Sequence, residues 1–207
     1  MPTHLVALLA MLTAAVQPGP TVVFMGDSIT EAWAPLFPEM FRGRAYVGRG
    51  ISGQTTPQML LRFHKDVVAL RPAVVVILAG TNDIAGNTGP MTDQDIARNI
   101  ESMADLAKAH GIKVVLSSIT PTGAYHAAPN AAPQSTTRPM SRIKALNDWM
   151  QTYAAANGHV YLDYFTPMLD ATGMMKTELT ADDLHPNAAG YAIMAPLAQA
   201  AIDKALR

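Results

Sequence analysis

No cysteine occurs in the 207 residues, so the chain has neither a disulfide framework nor a thiolate metal site, and a zinc ribbon is excluded. An excess of charge is missing too: 15 Lys and Arg stand against 16 Asp and Glu, a formal net charge of −1 with a pI near 6.6. Without a basic field to gather phosphates, nucleic acid and anionic membrane surfaces are not expected partners, and a small molecule is. There is no internal repeat and no linker that would divide the chain. The Leu- and Ala-rich run from Leu5 to Val16 is too short to span a bilayer, so no stable membrane insertion is expected. It is closed by Gln17-Pro18-Gly19-Pro20 and resembles the apolar part of a secretory signal, although Met1 to His4 carries no Lys or Arg. Residues 1–17 are therefore expected to be a signal peptide or N-terminal apolar segment of a periplasmic or secreted protein, with 18–207 as a single domain. At 49% hydrophobic and 15% charged, that length can bury a full core.

What is present is a regular alternation of strands and helices. Val22 to Met25, Ala45 to Val47, Ala73 to Ala79, Ile112 to Ile119 and Val160 to Asp163 read as short buried strands. Between and after them, helical patterns begin at Ile29, near Thr55-Thr56-Pro57 and running through Phe63 and Val67 to Leu70, at Asp93, at Met140 and at Asn187. Residues 120–138 form a Pro- and Ala-rich loop long enough for a substrate rim. The pattern predicts an α/β fold, a parallel sheet wrapped by helices on both faces.

The polar residues gather where such sheets bind ligands, just past strand ends or before the last helix. Gly26-Asp27-Ser28 sets a hydroxyl at a strand-to-helix corner, beside unpaired N–H groups and the positive end of a dipole. Ser28 could be a nucleophile there, or merely the cap of the helix. Gly53, the run Gly80-Thr81-Asn82-Asp83, and Asp182 to His185 complete the set. A hydroxyl, an imidazole, a carboxylate three residues before it, and donors for a developing oxyanion are what acyl transfer requires.

These blocks resemble the SGNH (GDSL) hydrolase family: Gly26-Asp27-Ser28-Ile29 its first block, Gly50-Ile51-Ser52-Gly53 its second, Gly80-Thr81-Asn82-Asp83 its third, and Asp182 through His185 its fifth. The resemblance implies a three-layer α/β/α sandwich with a flavodoxin-like parallel five-stranded sheet and no cofactor. It implies hydrolysis of a small-molecule ester, sometimes a thioester, with Ser28 as nucleophile, His185 as base and Asp182 as its partner. The oxyanion hole would be the backbone of Ser28 and Gly53 with the side chain of Asn82. Short acyl esters are expected, since no long apolar run in the rim would receive a fatty chain. A lysophospholipase or thioesterase, or a non-catalytic binding protein on the same fold, are the alternatives. Asp183 departs from the pattern, standing where Gly is frequent.

Other readings carry less. Gly48-Arg49-Gly50-Ile51-Ser52-Gly53 fits a dinucleotide fingerprint, but the acid expected about twenty residues on would fall in the apolar run after Pro72. Asp83 is expected to make a turn or cap the segment that follows it rather than to act in the chemistry. Asp182, Asp183 and His185 lack further metal ligands at motif spacing. His64, His110, His126 and His159 stand without partner motifs and are expected at the surface or at helix ends, and the methionines as core filler.

Overall fold

The five segments become strands because each is short and bounded by turn-forming or polar residues, and the first, third and fourth are rich in Val. They are β1 (Val22–Gly26), β2 (Tyr46–Gly50), β3 (Val74–Ile77), β4 (Lys113–Ser117) and β5 (Val160–Leu162), all paired in parallel in the order β2-β1-β3-β4-β5. Parallel neighbours need crossovers, which helices supply. After β1 come α1 (Ser28–Glu31) and α2 (Trp33–Leu36), after β2 comes α3 (Thr56–Asp66), and after β3 come α4 (Thr81–Ile84) and α5 (Asp93–Ala109). After β4 come α6 (Gln134–Thr137) and α7 (Met140–Asn157), and α8 (Ala188–Leu206) follows β5. The structure, a computed structural model, describes residues 19–126 and 132–207. The expected export segment and part of the predicted rim loop lie outside the described residues.

Period-two alternation along each strand decides which layer a side chain joins. Val23, Met25, Val75, Ile77, Val114 and Leu116 face one core with Met59 and Phe63 of α3, Ile96 and Ile100 of α5, and Ile143 and Met150 of α7. Val22, Phe24, Val74, Val76 and Val115 face the other with Trp33, Tyr191, Met194 and Ile202. Each such side chain, fully buried, contributes about 1.5–3 kcal/mol. The aromatic part of the second core also fixes α1: Tyr191 stacks on Trp33 with ring centroids 5.5 Å apart, and its hydroxyl donates to the Ile29 carbonyl at 2.7 Å. The result is the expected three-layer sandwich. Its strand order leaves a crevice at the carboxyl ends of β1 and β3, where the order reverses.

Two expectations change in detail, and one competing reading falls. The helix predicted from Ile29 onward breaks at Ala32 into α1 and α2; Pro35 lacks the N–H that would bond Glu31 and continue the ladder. The helix predicted to run on to Leu70 ends at Asp66, and a single 3₁₀ turn follows before Arg71 in the left-handed region, φ 48°. Gly48, Arg49 and Gly50 are strand residues rather than part of a phosphate-cradling loop. A Cβ on Gly50 would lie 2.0 Å from the Glu31 nitrogen and 2.5 Å from the Asp27 carbonyl oxygen. That glycine therefore serves the close approach of β2 to α1, which removes the dinucleotide reading.

Candidate active site

At the end of β1 the chain turns sharply, and Asp27 rather than Ser28 caps α1: its Oδ1 accepts the Ile29 N–H at 2.9 Å. The Ser28 hydroxyl is thereby left free for another partner. It meets His185 Nε2 at 2.9 Å, across 157 residues of sequence. On the far side of the ring, His185 Nδ1 lies 2.6 Å from Asp182 Oδ2. Asp182 Oδ1 accepts the backbone N–H groups of Leu184 at 3.1 Å and His185 at 2.8 Å, a tight turn built on one carboxylate. Burial acts to raise the Asp182 pKa, but the ring and backbone hydrogen bonds from His185 and that from Leu184 outweigh it and hold the group below its ordinary value. An ionised Asp182 assigns the proton to Nδ1, which leaves Nε2 to accept from the Ser28 hydroxyl. This chain of three side chains can move a proton off Ser28.

Gly53 and Asn82 stand beside it. Gly53 adopts φ +76°, a left-handed turn that suits glycine, and its backbone N–H donates to no carbonyl among the described residues. Its carbonyl accepts from Asn87 Nδ2 at 3.1 Å. Asn82, 3% exposed in the first turn after β3, directs Nδ2 toward the Gln54 carbonyl at 3.1 Å and toward Asp27 Oδ2 at 3.4 Å. The side-chain amide thus bridges the residues adjoining both Ser28 and Gly53. Asp27 is fully buried, and burial pushes its carboxyl up to about 6 against the Ile29 hydrogen bond and the His185 field.

One expectation about a neighbouring residue changes. Asp83 lies in the short turn of α4, but its side chain does not cap the segment after it. Its carboxylate accepts the Thr56 backbone N–H at 2.9 and 3.0 Å and the Thr56 hydroxyl at 2.6 Å, joining the start of α3 to α4, the short turn that follows β3. His126 is exposed, as expected, and meets Asp183: its Nδ1 lies 2.9 Å from Asp183 Oδ1, and its backbone N–H donates to Asp183 Oδ2 at 2.6 Å. Asp183 occupies the left-handed region, φ +67°, the conformation for which glycine is favoured and which aspartate tolerates. Asp182, Asp183 and His185 consequently do not converge on a common point, as a metal would need. His64 and His110 are exposed, as expected, and His159 is half-buried.

Sequence reasoning also missed two arginines. Arg62 Nη2 donates to the Gly26 carbonyl at 2.8 Å, Nη1 to the Arg49 carbonyl at 2.9 Å and Nε to Gln54 Oε1 at 2.6 Å, tying together β1, β2 and the Gly53 loop. Arg138, from the rim segment, reaches Asn82. A signal for Arg138 existed, because it is the sole Asp, Glu, Lys or Arg between Lys113 and Arg142.

The profile of the GDSL-like Lipase/Acylhydrolase family matches residues 24–193, a span that takes in every residue of this site. The chain belongs to that family. It is a hydrolase of the esterase and acylhydrolase type. A crystal structure of a GDSL-like lipase from Bacteroides thetaiotaomicron is 43% identical, with a TM-score of 0.81 over 90% of this chain and 89% of that one. A candidate acylhydrolase from Bacteroides fragilis is 42% identical, with a TM-score of 0.83 over 91% of this chain and 88% of the other. Esterase TesA of Pseudomonas aeruginosa is 29% identical over 178 residues, 80% of this hydrolase and 79% of the relative.

Proposed function

We propose that this hydrolase is a serine esterase that cleaves short-chain, acetyl-like carboxylic esters through an acyl-enzyme, with Ser28, His185 and Asp182 as its triad. The observation that carries the reading is the continuous contact from Ser28 Oγ to His185 Nε2 at 2.9 Å and from Nδ1 to Asp182 at 2.6 Å. Ser28 Oγ adds to the ester carbonyl carbon as its proton passes to His185 Nε2, and the carbonyl π electrons move onto oxygen. The N–H groups of Ser28 and Gly53 and Nδ2 of Asn82 stabilise that oxyanion. Asp182 holds the imidazolium that forms. When the intermediate collapses, the C–O bond to the alcohol breaks and His185 returns the proton to the leaving oxygen. Water, deprotonated by the same ring, then releases the acid and restores Ser28.

Short acyl groups are favoured because the sequence of the rim, residues 120–138, holds no long apolar run that would receive a fatty chain. No described helix is long and apolar enough to cross a membrane. The signal-like sequence of residues 1–17 supports action in the periplasm or outside the cell. The experiment is a hydrolysis panel of p-nitrophenyl esters of rising acyl length and acetylated sugars, run on the parent protein and on Ser28→Ala. Highest kcat/KM at acetate to butyrate, loss of turnover in Ser28→Ala, and phosphonate labelling confined to Ser28 are expected. Full activity of the alanine variant would sink the mechanism, and preference for long chains would sink the substrate class.

A further inference from the structure

Arg138 is spent on the interior of the site. The residue is 7% exposed, and its guanidinium donates from Nε to the Thr81 carbonyl at 3.2 Å, from Nη1 to Gln134 Oε1 at 2.6 Å and Thr137 Oγ1 at 3.3 Å, and from Nη2 to Asn82 Oδ1 at 3.4 Å. It makes no ion pair with a carboxylate among the described residues, yet the charges of Asp27 and Asp182 act on it. A buried guanidinium without a direct counter-ion is costly, and fastening a loop does not require one.

The side chain it touches gives the reason. An asparagine amide presents a donor at one end and an acceptor at the other, and a half-turn about its last torsion exchanges them. A guanidinium can only donate, so Arg138 accepts only Oδ1 on its side. At the other end, the Gln54 carbonyl at 3.1 Å and Asp27 Oδ2 at 3.4 Å select Nδ2. The amide is thereby held with its donor end toward the residues adjoining Ser28. A positive charge on Oδ1 also draws electron density away from Nδ2, making its N–H a stronger donor as the substrate oxygen becomes negative.

We propose that Arg138 is a positioning residue for ester hydrolysis, holding and polarising the Asn82 amide as an oxyanion donor. The inference rests on the reading of Asn82 given under Proposed function. It is tested by a double-mutant cycle measured on p-nitrophenyl acetate with Asn82→Ala, Arg138→Ala and the pair. Arg138→Met, which keeps the packing stem but removes charge and donors, is carried through the same cycle in case the alanine variant fails to fold.

Loss of a charge-assisted hydrogen bond predicts that kcat falls about 10–100-fold in the Arg138 variants, with KM within about twofold. In the Asn82→Ala background, removing Arg138 should cost less than about twofold more, because the group it acts on is gone. Methylguanidinium added to Arg138→Ala should restore kcat, and should not do so in the double variant. Additive losses, or an effect confined to KM, would overturn the role of Arg138. Unchanged kcat in Asn82→Ala would instead overturn the oxyanion reading of Asn82, with or without an effect of Arg138.

Discussion

Two adjacent aspartates, alike in sequence, are separated by the backbone. Asp182 turns back on its own segment to reach the His185 ring, while Asp183, at φ +67°, turns its carboxylate to His126. Asp182→Asn should therefore lower kcat by up to about 10⁴, the loss that follows when the triad carboxylate of a serine protease is neutralised. Half-exposed Asp182 leaves room for water to replace part of its role, so a smaller fall is expected here. Asp183→Asn, which keeps the shape and tolerates the same backbone conformation, should change kcat little. A larger loss at Asp183 in steady-state kinetics would reverse the assignment. Asn82→Ala should lower kcat by about 10²–10³ with little change in KM. Asp27 supplies a pH-dependent case. Its folded pKa of about 6 lies above its ordinary value, so folding takes up a proton and stability falls as pH rises from about 4 to 6. Above that window the buried charge costs on the order of 3 kcal/mol. Asp27→Asn, neutral at every pH and still able to accept from Ile29, should be more stable than the parent in urea at pH 8 and lose that advantage near pH 4. Its kcat should fall, since Asp27 is one of the two acceptors holding Asn82 Nδ2.

Among the elements, the site depends on how closely β2 passes α1 and how α3 is joined to α4. Gly50→Ala places a methyl group 2.0 Å from the backbone of Glu31, where no flexible side chain can give way. Either β2 or α1 must shift, and α1 carries Ser28. Both the urea midpoint and kcat should drop, whereas alanine at Gly48, whose Cβ would meet nothing within 4 Å, should be mild. Asp83→Ala removes the only acceptor among the described residues for the Thr56 N–H at the first turn of α3. Leaving that buried donor unpaired costs roughly 1–3 kcal/mol, read as a lower midpoint with the slope unchanged. The cost is partly returned, because burial raises the Asp83 pKa and the alanine variant no longer carries that charge.

At the scale of the molecule, the helices on the two faces of the sheet are tied to the same strand ends that carry the site. Arg62 links β1, β2 and the Gly53 loop, and Tyr191 of α8 holds Ile29 from the opposite layer. Stability and activity should therefore fall together for changes at these ties. Residues before Gly19 precede the first strand, and if they act as an export signal they are dispensable to the domain. A protein beginning at Gly19 should show the same melting temperature and the same kcat/KM as the full chain. A lower melting temperature would mean that Leu5 to Val16 packs on the fold.

By itself the sequence determined the alternation of strand and helix, the five strands, and the four polar blocks that resemble one hydrolase family. Those features are local: hydrophobic period, Gly and Pro punctuation, and short motifs lie within a few residues of one another. Ser28, Asn82 and His185 could be named because each sits at a strand end or before a helix, where a parallel sheet gathers its functional groups. Only the tertiary structure decided between Asp27 and Ser28 as the cap of α1, sent Asp83 to Thr56, and paired His126 with Asp183. It alone buried Arg138 against Asn82. The reason is distance along the chain: these partners are 27 to 57 residues apart, save for the cap. A contact of that span leaves no periodic trace, since it depends on which layer each crossover takes and on a single backbone conformation at one residue.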